Sequence, residues 1–424
     1  MENDKLIIKD LELKINKSIP TVENIDIGIL GVKYNGNIAI GLGLYNCSLD
    51  TIPEQILKLK SLQILFLYTQ HVMKIPEAFC NLHSLKILFL ELHNLKELPE
   101  SFKNLHSLQK LDIRSNQLEN LSESFGNLKS LQILSIQGLY ERSKFTVLPK
   151  SFSNLASLKE FYLFKTQLKD LPESFEQLKS LQVLDLNNNQ LTTLPESFGH
   201  LRSLQELDLS NNQLTTLPKT FEHLQSLQKL NLGGNRIESL PEVFNNFKSL
   251  HTLNLGKNQL EFFPESFVKL KLIRALNLEQ NQIKILPETF CNLQSLQTLN
   301  LENNKLTNLP ESFGNLKSLR DLNLSENILS TLPESIGKLQ SLQKLDLSYN
   351  KLTALPESIG KLNSLQIMNL TDNQLTALPE SIGKLNSLQI MNLTDNQLTT
   401  LPESISKLNS LQIINLTNNK LKPQ

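Results

Sequence analysis

Residues 181–204 read LQVLDLNNNQLTTLPESFGHLRSL, and most of the chain consists of variants of this stretch. Leu184 and Leu186 alternate with other residues, which predicts a short β-strand with one buried face. Asn189 follows where the chain must leave the strand, and its amide can bond to backbone groups that the turn would otherwise bury unpaired. Pro195 suits the first turn of a short helix or 3₁₀ segment, where its missing N–H is not needed. The stretch therefore predicts one coil, made of a strand, a turn and a return segment.

This coil repeats along the chain. Prolines recur every 23 residues from Pro149 to Pro402 and from Pro53 to Pro99. Because Pro99 and Pro149 are 50 residues apart, two periods plus four, the coil at 137–149 carries a four-residue insertion. A fixed period of this length predicts a solenoid whose coils supply parallel strands about 4.8 Å apart. We interpret the turn asparagines as a structural ladder, with members Asn116, Asn189, Asn212, Asn235, Asn258, Asn281, Asn304, Asn327, Asn350, Asn373, Asn396 and Asn419.

With these motifs the chain resembles the short, 23-residue class of leucine-rich repeat, and it is similar to Ras-suppressor and Scribble-type scaffolds and to related proteins of bacteria and archaea. The resemblance covers residues 39–424, with 17 strand segments. It implies a right-handed solenoid of α/β-type repeats, with a curved parallel β-sheet on the concave face and short 3₁₀ or α turns on the convex face. It also implies that the concave face binds other proteins. The ladder asparagine is replaced at Cys47, Gln70, His93 and Thr166.

Both ends of the chain depart from the repeat. Residues 1–38 are interpreted as a cap over the first coil, because a solenoid needs such a cover. This segment begins with an amphipathic stretch, and Asn35-Gly36 between two alternating runs predicts a β-hairpin. After Asn419 no polar capping unit follows, so a frayed last coil and end-to-end association both remain open.

The outward positions of the predicted strands indicate where a partner binds. From Leu181 onward the position between the two strand leucines is Asn or Asp, whereas several N-terminal coils carry aromatic residues there and two positions later. Exposed aromatic clusters usually mark interfaces, whose hot spots favour Tyr and Arg. The predicted protein-binding residues are Tyr45, Phe66, Tyr68, Phe89, Glu91, Leu92, Arg114, Tyr140, Tyr162 and Phe164, with Tyr140 in the insertion. The alternative is that the N-terminal cap folds over the aromatic side chains.

Composition and missing motifs exclude several functions. Lys plus Arg and Asp plus Glu are each 42 among 424 residues, so generic binding to nucleic acid or to a membrane surface is disfavoured. The sequence has no glycine-rich phosphate loop, nucleophile elbow or suitably spaced Cys/His pair, so we expect no enzyme activity, no cofactor and no metal site. Three cysteines without short spacing, and no apolar run near ~18 residues, predict a cytoplasmic protein in a reducing compartment.

The leading hypothesis is a protein-binding scaffold whose N-terminal concave face contacts a folded partner. By resemblance, the partner is a small GTPase or another signalling protein, and the chain itself is expected to be a monomer. The alternative is a structural or self-assembling module that associates through its uncapped C-terminal end or through the Asn and Thr side chains of its last coils. Glycan binding by those same side chains is a third hypothesis.

Overall fold

The computed structural model describes residues 3–139, 143–241, 244, 246–263 and 265–422. The chain divides into two compact units, 1–212 and 213–424, and each unit is a stack of coils. A coil consists of a short strand, a turn and a return segment that contains a short helix, in most coils a 3₁₀ helix. The predicted solenoid fold is thereby confirmed.

The strands are five to seven residues long in the first coils and three residues long in the later ones. The first unit contains β1 (Gly31–Asn35), β2 (Ile38–Leu44), β3 (Ile64–Thr69), β4 (Ile87–Leu92), β5 (Lys110–Arg114), β6 (Ile133–Gln137), β7 (Glu160–Phe164), β8 (Val183–Asp185) and β9 (Glu206–Asp208). The second unit contains β10 (Lys229–Asn231), β11 (Thr252–Asn254), β12 (Ala275–Asn277), β13 (Thr298–Asn300), β14 (Asp321–Asn323), β15 (Lys344–Asp346), β16 (Ile367–Asn369), β17 (Ile390–Asn392) and β18 (Ile413–Asn415).

Within each unit the strands pair in chain order. β1 is antiparallel to β2, whereas β2 to β9 and β10 to β18 are parallel. Residues one repeat apart are paired, as Leu253 is with Leu276. The insertion changes this separation once, because Leu134 pairs with Phe161 rather than with residue 157. Along a strand, side chains alternate between the core and an outward surface, which we call the strand face.

The opposite side of each coil is built from short helices. α1 (Asp4–Ile15) and α2 (Glu54–Lys58) are α-helical. The 3₁₀ helices are Glu77–Asn81, Glu100–Asn104, Glu123–Asn127, Lys150–Asn154, Glu173–Gln177, Glu196–His200, Lys219–His223, Glu265–Lys269, Glu288–Asn292, Phe313–Asn315, Glu334–Lys338, Glu357–Lys361, Glu380–Lys384 and Glu403–Lys407. No helix in these described stretches has the length and apolar composition needed to cross a membrane.

The core lies between the strands and these turns. Leucines from the strands and the returns are almost completely buried, and each 3₁₀ turn of the first unit adds a buried phenylalanine. Phe175 stacks on Phe152 and Phe198, with ring centres 6.2 and 6.3 Å apart and nearly parallel planes. Burial of this kind stabilises a coil only when a neighbour covers it, which is why the unit is a stack.

The turn asparagines join each coil to the one before it. Asn281 donates from Nδ2 to the carbonyl oxygens of Leu255 and Leu278, each at 3.0 Å, and its Oδ1 accepts the N–H of Leu260 at 3.0 Å. The residue before it, Gln280, has a positive φ of 49°, which turns the chain out of the strand. Hydrogen bonds of this kind are made by Asn189, Asn212, Asn235, Asn258, Asn304, Asn327, Asn350, Asn373, Asn396 and Asn419.

The coils of β3 and β5 make this turn differently. Buried hydroxyl groups replace the amide: Thr69 Oγ1 donates to the carbonyl oxygen of Leu49 at 2.7 Å, and Ser115 Oγ donates to that of Leu95 at 2.9 Å. Asn116 also differs from the later ladder members, because its Oδ1 accepts the N–H of Leu139 from the following coil at 2.8 Å. Among the described residues that follow β3 to β6, none has a positive φ at the turn.

The first coil is covered by α1 and by the β1–β2 hairpin. Ile7, Ile8 and Leu11 of α1 are buried, and the Asp4 carboxylate accepts the N–H of Ala39 in β2 at 2.8 Å. The hairpin turn places Gly36 at a φ of +62°, where glycine is favoured. Residues 25–30, which precede β1, are irregular rather than a strand.

Candidate functional site

The N-terminal coils bring aromatic side chains together on the strand face. The parallel register aligns Gly43 of β2 with Phe66 of β3 and Phe89 of β4, and it aligns Tyr68 with Glu91. Tyr45 follows β2 directly. We call Tyr45, Phe66, Tyr68 and Phe89 the aromatic patch.

Within the aromatic patch the rings are in contact. The ring centres of Tyr45 and Tyr68 are 4.9 Å apart, and those of Phe66 and Phe89 are 5.4 Å apart and stacked. Tyr45 is 42% exposed, Phe66 and Tyr68 are half-buried, and Phe89 is only 4% exposed. The solvent-accessible part of the patch is therefore the tyrosine pair with the edge of Phe66.

The N-terminal segment covers part of this surface. A Cβ on Gly43 would lie 2.5 Å from the carbonyl oxygen of Ile29, and one on Gly41 would lie 2.8 Å from the side chain of Ile25. Only glycine at these two outward positions of β2 allows the segment to pass so close. Ile27 borders a crevice with Phe66 and Phe89, and its own side chain is 52% exposed. The predicted alternative of a cap over the aromatic residues thus holds in part, and Tyr45 stays accessible.

Charged side chains border the patch on β4 and β5. Arg114 lies over the ring of Phe89 at 4.8 Å, with Nη1 3.5 Å from Glu91 Oε2 and Nε 3.6 Å from Asp112 Oδ1. His93 Nε2 is 3.6 Å from Glu91 Oε1. We call Glu91, His93, Asp112 and Arg114 the ion cluster.

The ion cluster is imperfectly satisfied from within the protein. Three of its buried polar atoms, His93 Nε2, Asp112 Oδ1 and Arg114 Nε, have no hydrogen bond in the described part of the chain. Burial raises the pKa of Asp112, although the Arg114 and Lys110 charges act in the opposite direction. Unsatisfied buried polar atoms of this kind are stabilised when a binding partner supplies the missing hydrogen-bond donors and acceptors.

The structure corrects part of the predicted site. The prediction for Leu92 is wrong, because Leu92 has the same parity as Leu88 and Leu90, points into the core and is fully buried. Phe89 has the predicted direction, but Phe66, Arg114 and the N-terminal segment cover it. Tyr140 lies outside the described residues.

Tyr162 and Phe164 belong to a separate place on the strand face. Both are half-buried on β7, three strands beyond β4 and so about 14 Å away. The Tyr162 hydroxyl donates to Glu160 Oε2 at 3.0 Å, and Asp185 lies beside Tyr162 on β8. Burial, the hydrogen bond to Glu160 and the nearby carboxylates raise the pKa of Tyr162 to about 12.

Asp185 is also unusual among the middle outward residues. Asn187 donates to Asp185 Oδ1 from its backbone N–H at 2.9 Å and from its side chain at 2.5 Å. Burial nevertheless raises the pKa of Asp185, and the charge of Asp208 adds to this effect. Its carboxylate therefore lies in a negative environment.

Ile27 and Asp185 are absent from the residues predicted from the sequence. A signal for Ile27 existed in Gly41 and Gly43, because glycine at two successive outward positions indicates a close backbone approach. For Asp185 the signal is a carboxylate next to the aromatic residue of the preceding strand, at a position where most later coils carry asparagine.

Acidic residues of the second unit are satisfied by amides. Glu279 accepts from Asn300 Nδ2, and Glu302 accepts from Asn323 Nδ2, both at 2.9 Å. These hydrogen bonds offset the repulsion between stacked carboxylates. Within the described residues no cluster of His, Cys, Asp or Glu has a metal-binding arrangement.

Family models for leucine-rich repeats match most of the chain. The model described as "Leucine-rich repeat region" matches residues 79–167, 152–236, 266–347 and 311–371. A "Leucine rich repeat" model matches 238–283 and 363–421, and a third repeat model matches 226–247. These models describe repeats and no catalytic domain. No curated protein sequence matches the chain.

Solved structures of repeat proteins share the fold. A leucine-rich repeat protein of Leptospira interrogans is 38% identical, with a TM-score of 0.79, over 88% of this chain and 95% of that one. The plant peptide hormone receptor RGFR1, in complex with RGF2, is 27% identical, with a TM-score of 0.67, over 90% of this chain and 70% of the receptor. TLR13, in complex with ssRNA13, is 27% identical, with a TM-score of 0.73, over 90% of this chain and 58% of TLR13.

Proposed function

Because this chain belongs to the leucine-rich repeat proteins, we propose that it is a protein-binding module whose partner contacts the aromatic patch of the first unit. The observation that carries the proposal is the pair of adjacent tyrosines, Tyr45 and Tyr68, whose ring centres are 4.9 Å apart beside the ion cluster. Tyrosine combines a large apolar area with a hydroxyl at its tip and loses little conformational entropy on binding, so it dominates many interfaces. Arg114 and Glu91 add directional polar contacts at the rim.

Protein is the favoured class of partner on grounds of charge. Among the similar structures, RGFR1 binds a peptide hormone and TLR13 binds single-stranded RNA. An RNA-binding surface needs a cationic excess to neutralise phosphates. This chain has a net charge of zero, and Glu91 and Asp112 border its aromatic patch. Both features disfavour a phosphate backbone.

The resemblance to Ras-suppressor and Scribble-type scaffolds extends this proposal. The partner is then a folded signalling protein such as a small GTPase, and binding takes place in the cytoplasm. This extension rests on analogy of fold.

The test compares a double tyrosine variant with the wild type and with a single-variant control. Tyr45→Ala combined with Tyr68→Ala removes the accessible part of the aromatic patch, and it should weaken capture of a partner from lysate by about 30-fold, or ~2 kcal/mol. Tyr349→Ala is the matched control, since Tyr349 is 53% exposed but lies on the second unit. Circular dichroism should show equal folding of all three proteins.

The result that contradicts the proposal is specific. If the double variant retains each protein that the wild type and Tyr349→Ala capture, the aromatic patch is not the binding surface.

A further inference from the structure

Two places on the strand face of the first unit carry the same pattern. On β4 and β5, Phe89 is aligned with Asp112, so an aromatic ring and a carboxylate occupy the middle outward positions of neighbouring strands. On β7 and β8, Tyr162 is aligned with Asp185 in the same way. The repeat therefore places an aromatic residue next to an aspartate twice.

Beside Phe89 and Asp112 the protein provides its own cation. Arg114, two residues after Asp112, lies over the Phe89 ring at 4.8 Å and approaches the Asp112 carboxylate at 3.6 Å. A guanidinium group suits this place because its flat face stacks on a ring while its edge meets a carboxylate.

On β7 and β8 the residue at the position corresponding to Arg114 is Asn187. Its amide satisfies Oδ1 of Asp185 but brings no positive charge. Glu160 adds a second carboxylate, which accepts the Tyr162 hydroxyl. Each place thus has a ring and two carboxylates, Glu91 and Asp112 in the first and Glu160 and Asp185 in the second, but the second has Asn187 where the first has Arg114.

The charges that act on the pKa of the two aspartates differ in the same way as the residues around them. For Asp112, Arg114 and Lys110 counter the rise in pKa that burial causes. For Asp185, no positively charged side chain among the described residues counters the effect of burial, and Asp208 raises the pKa further. The potential at Tyr162 is negative, because Glu160, Asp185 and Glu206 all raise the pKa of its hydroxyl.

We propose that Glu160, Tyr162 and Asp185 form a subsite for an arginine side chain of the partner protein. The guanidinium group takes the place that Arg114 takes on Phe89, with its face on the Tyr162 ring and its edge toward the Asp185 carboxylate. This assignment rests on the proposed function in that it takes the partner to be a protein. It adds that the partner surface is basic where it meets β7 and β8.

The subsite and the aromatic patch then have distinct roles. The aromatic patch contributes apolar contact area, which raises affinity without strong charge preference. The subsite selects for positive charge and penalises an acidic partner surface, since like charges at close range are repelled. A partner with one apolar projection and one arginine about 19 Å away, four strand spacings from β3 to β7, fits both.

The test uses an acetylated and amidated triarginine peptide as the probe, with tricitrulline as its uncharged counterpart of the same shape. Binding is followed at pH 7 by NMR of protein labelled at its tyrosine rings. Triarginine is expected to shift the Tyr162 signal in a saturable way, and tricitrulline is not. A response of equal size to both peptides would overturn the proposal.

The decisive variant is Asn187→Arg, which introduces the missing cation. The corresponding positions of other coils carry Tyr68, Glu91 and Arg114, so the strand face accommodates a large residue there. Asn187→Arg should weaken triarginine binding at Tyr162 about tenfold, because the subsite is occupied from within. Asn187→Gln, of similar polarity and no charge, should bind as the wild type does.

Two further outcomes complete the experiment. If Asn187→Arg binds triarginine as tightly as the wild type, the subsite is wrongly assigned. Tyr45→Ala with Tyr68→Ala should leave the Tyr162 response intact, so failure of the aromatic patch as a partner site and failure of this subsite give different results.

Discussion

Single residues on the strand face show that charge there is not required by the fold. At the middle outward position, Asn231, Asn254 and Asn277 accept the N–H of the residue two positions on through Oδ1, at 3.1, 2.9 and 3.0 Å. Asp185 makes the same hydrogen bond at 2.9 Å. Asparagine therefore satisfies the backbone as well as aspartate does, and the carboxylate of Asp185 adds only a partly buried charge.

Asp185→Asn should stabilise the protein at neutral pH. Burial raises the pKa of the folded-state carboxyl above its unfolded value. The ionised carboxylate then lowers the stability above that pKa, and the penalty fades as the pH falls toward the unfolded value, ~3.9. The variant should melt at a higher temperature than the wild type at pH 7 and at the same temperature near pH 3.

The control for this experiment is Asp170→Asn, at an exposed position. It should change the stability by less than about 0.5 kcal/mol at either pH. A lower melting temperature for Asp185→Asn at pH 7 would show that the carboxylate stabilises the fold, and it would remove the functional reason for its presence.

The sequence predicted the direction of the aromatic side chains but not their exposure. The period of two along a strand places Phe66 and Phe89 outward, and the same rule would have placed Leu92 inward. The alternative of a cap over the aromatic side chains anticipated some coverage, but its extent at Phe89 depends on where residues 25–29 lie, and the repeat pattern does not describe that segment. Of the ion cluster, Glu91 and Arg114 were predicted as protein-binding residues, whereas Asp112, which Arg114 approaches at 3.6 Å, was not.

At the level of the elements, small residues allow the 3₁₀ turns of neighbouring coils to pack closely together. A Cβ on Gly360 would collide with the backbone carbonyl of Ser381 in the next coil, and the same contact recurs at other turn glycines. Cys80 and Cys291 occupy the corresponding position in their coils and are buried, and burial raises the pKa of the Cys80 thiol to about 11. The need for a small side chain explains why cysteine occurs at these positions, without a reactive role for the thiols.

Gly360→Ala should therefore push two coils apart. Overpacking a tightly fitted site costs about 1–3 kcal/mol, which urea denaturation would detect as a lower midpoint. Lys103→Ala is the matched control, because Lys103 holds the same position in a coil that already accommodates a side chain. Equal midpoints for Gly360→Ala and the wild type would show that the coils can shift apart without loss.

The kind of element in each coil was accessible to sequence reasoning, whereas its length was not. Short strands, and 3₁₀ turns after proline, follow from the pattern of residues 181–204. The longer strands β3 and β4 arise because Thr69 and Leu92 continue inward where later coils turn through a residue with positive φ. That choice is made by hydrogen bonds to the preceding coil, such as that of Thr69 to Leu49, which no local pattern reveals.

For the molecule as a whole, the asparagine ladder makes stability a matter of neighbouring coils. Asn281 bonds to Leu255 and Leu260 of the preceding coil and to Leu278 of its own. In a repeat protein of this kind the effect of a lost contact is expected to decline with distance along the stack.

Asn281→Ala should lower the local stability by about 3 kcal/mol, because it leaves a buried N–H and two carbonyl groups without their partner. Hydrogen exchange should speed up most for amides near β11 to β13 and least near β3 and β4. Asn308→Ala, at an exposed position, should leave exchange unchanged throughout. Uniform acceleration over all coils would instead indicate that the chain unfolds in a single step.

The ladder also has an evolutionary consequence. From Asn258 onward each ladder asparagine bonds to its own coil and to the one before, so duplicating one complete coil there preserves these hydrogen bonds and keeps the leucines covered. Residues 354–376 and 377–399 are identical in sequence, and both fold into the same coil. The length of this protein can therefore change by duplication or loss of whole coils, without altering the proposed binding surface on the first unit.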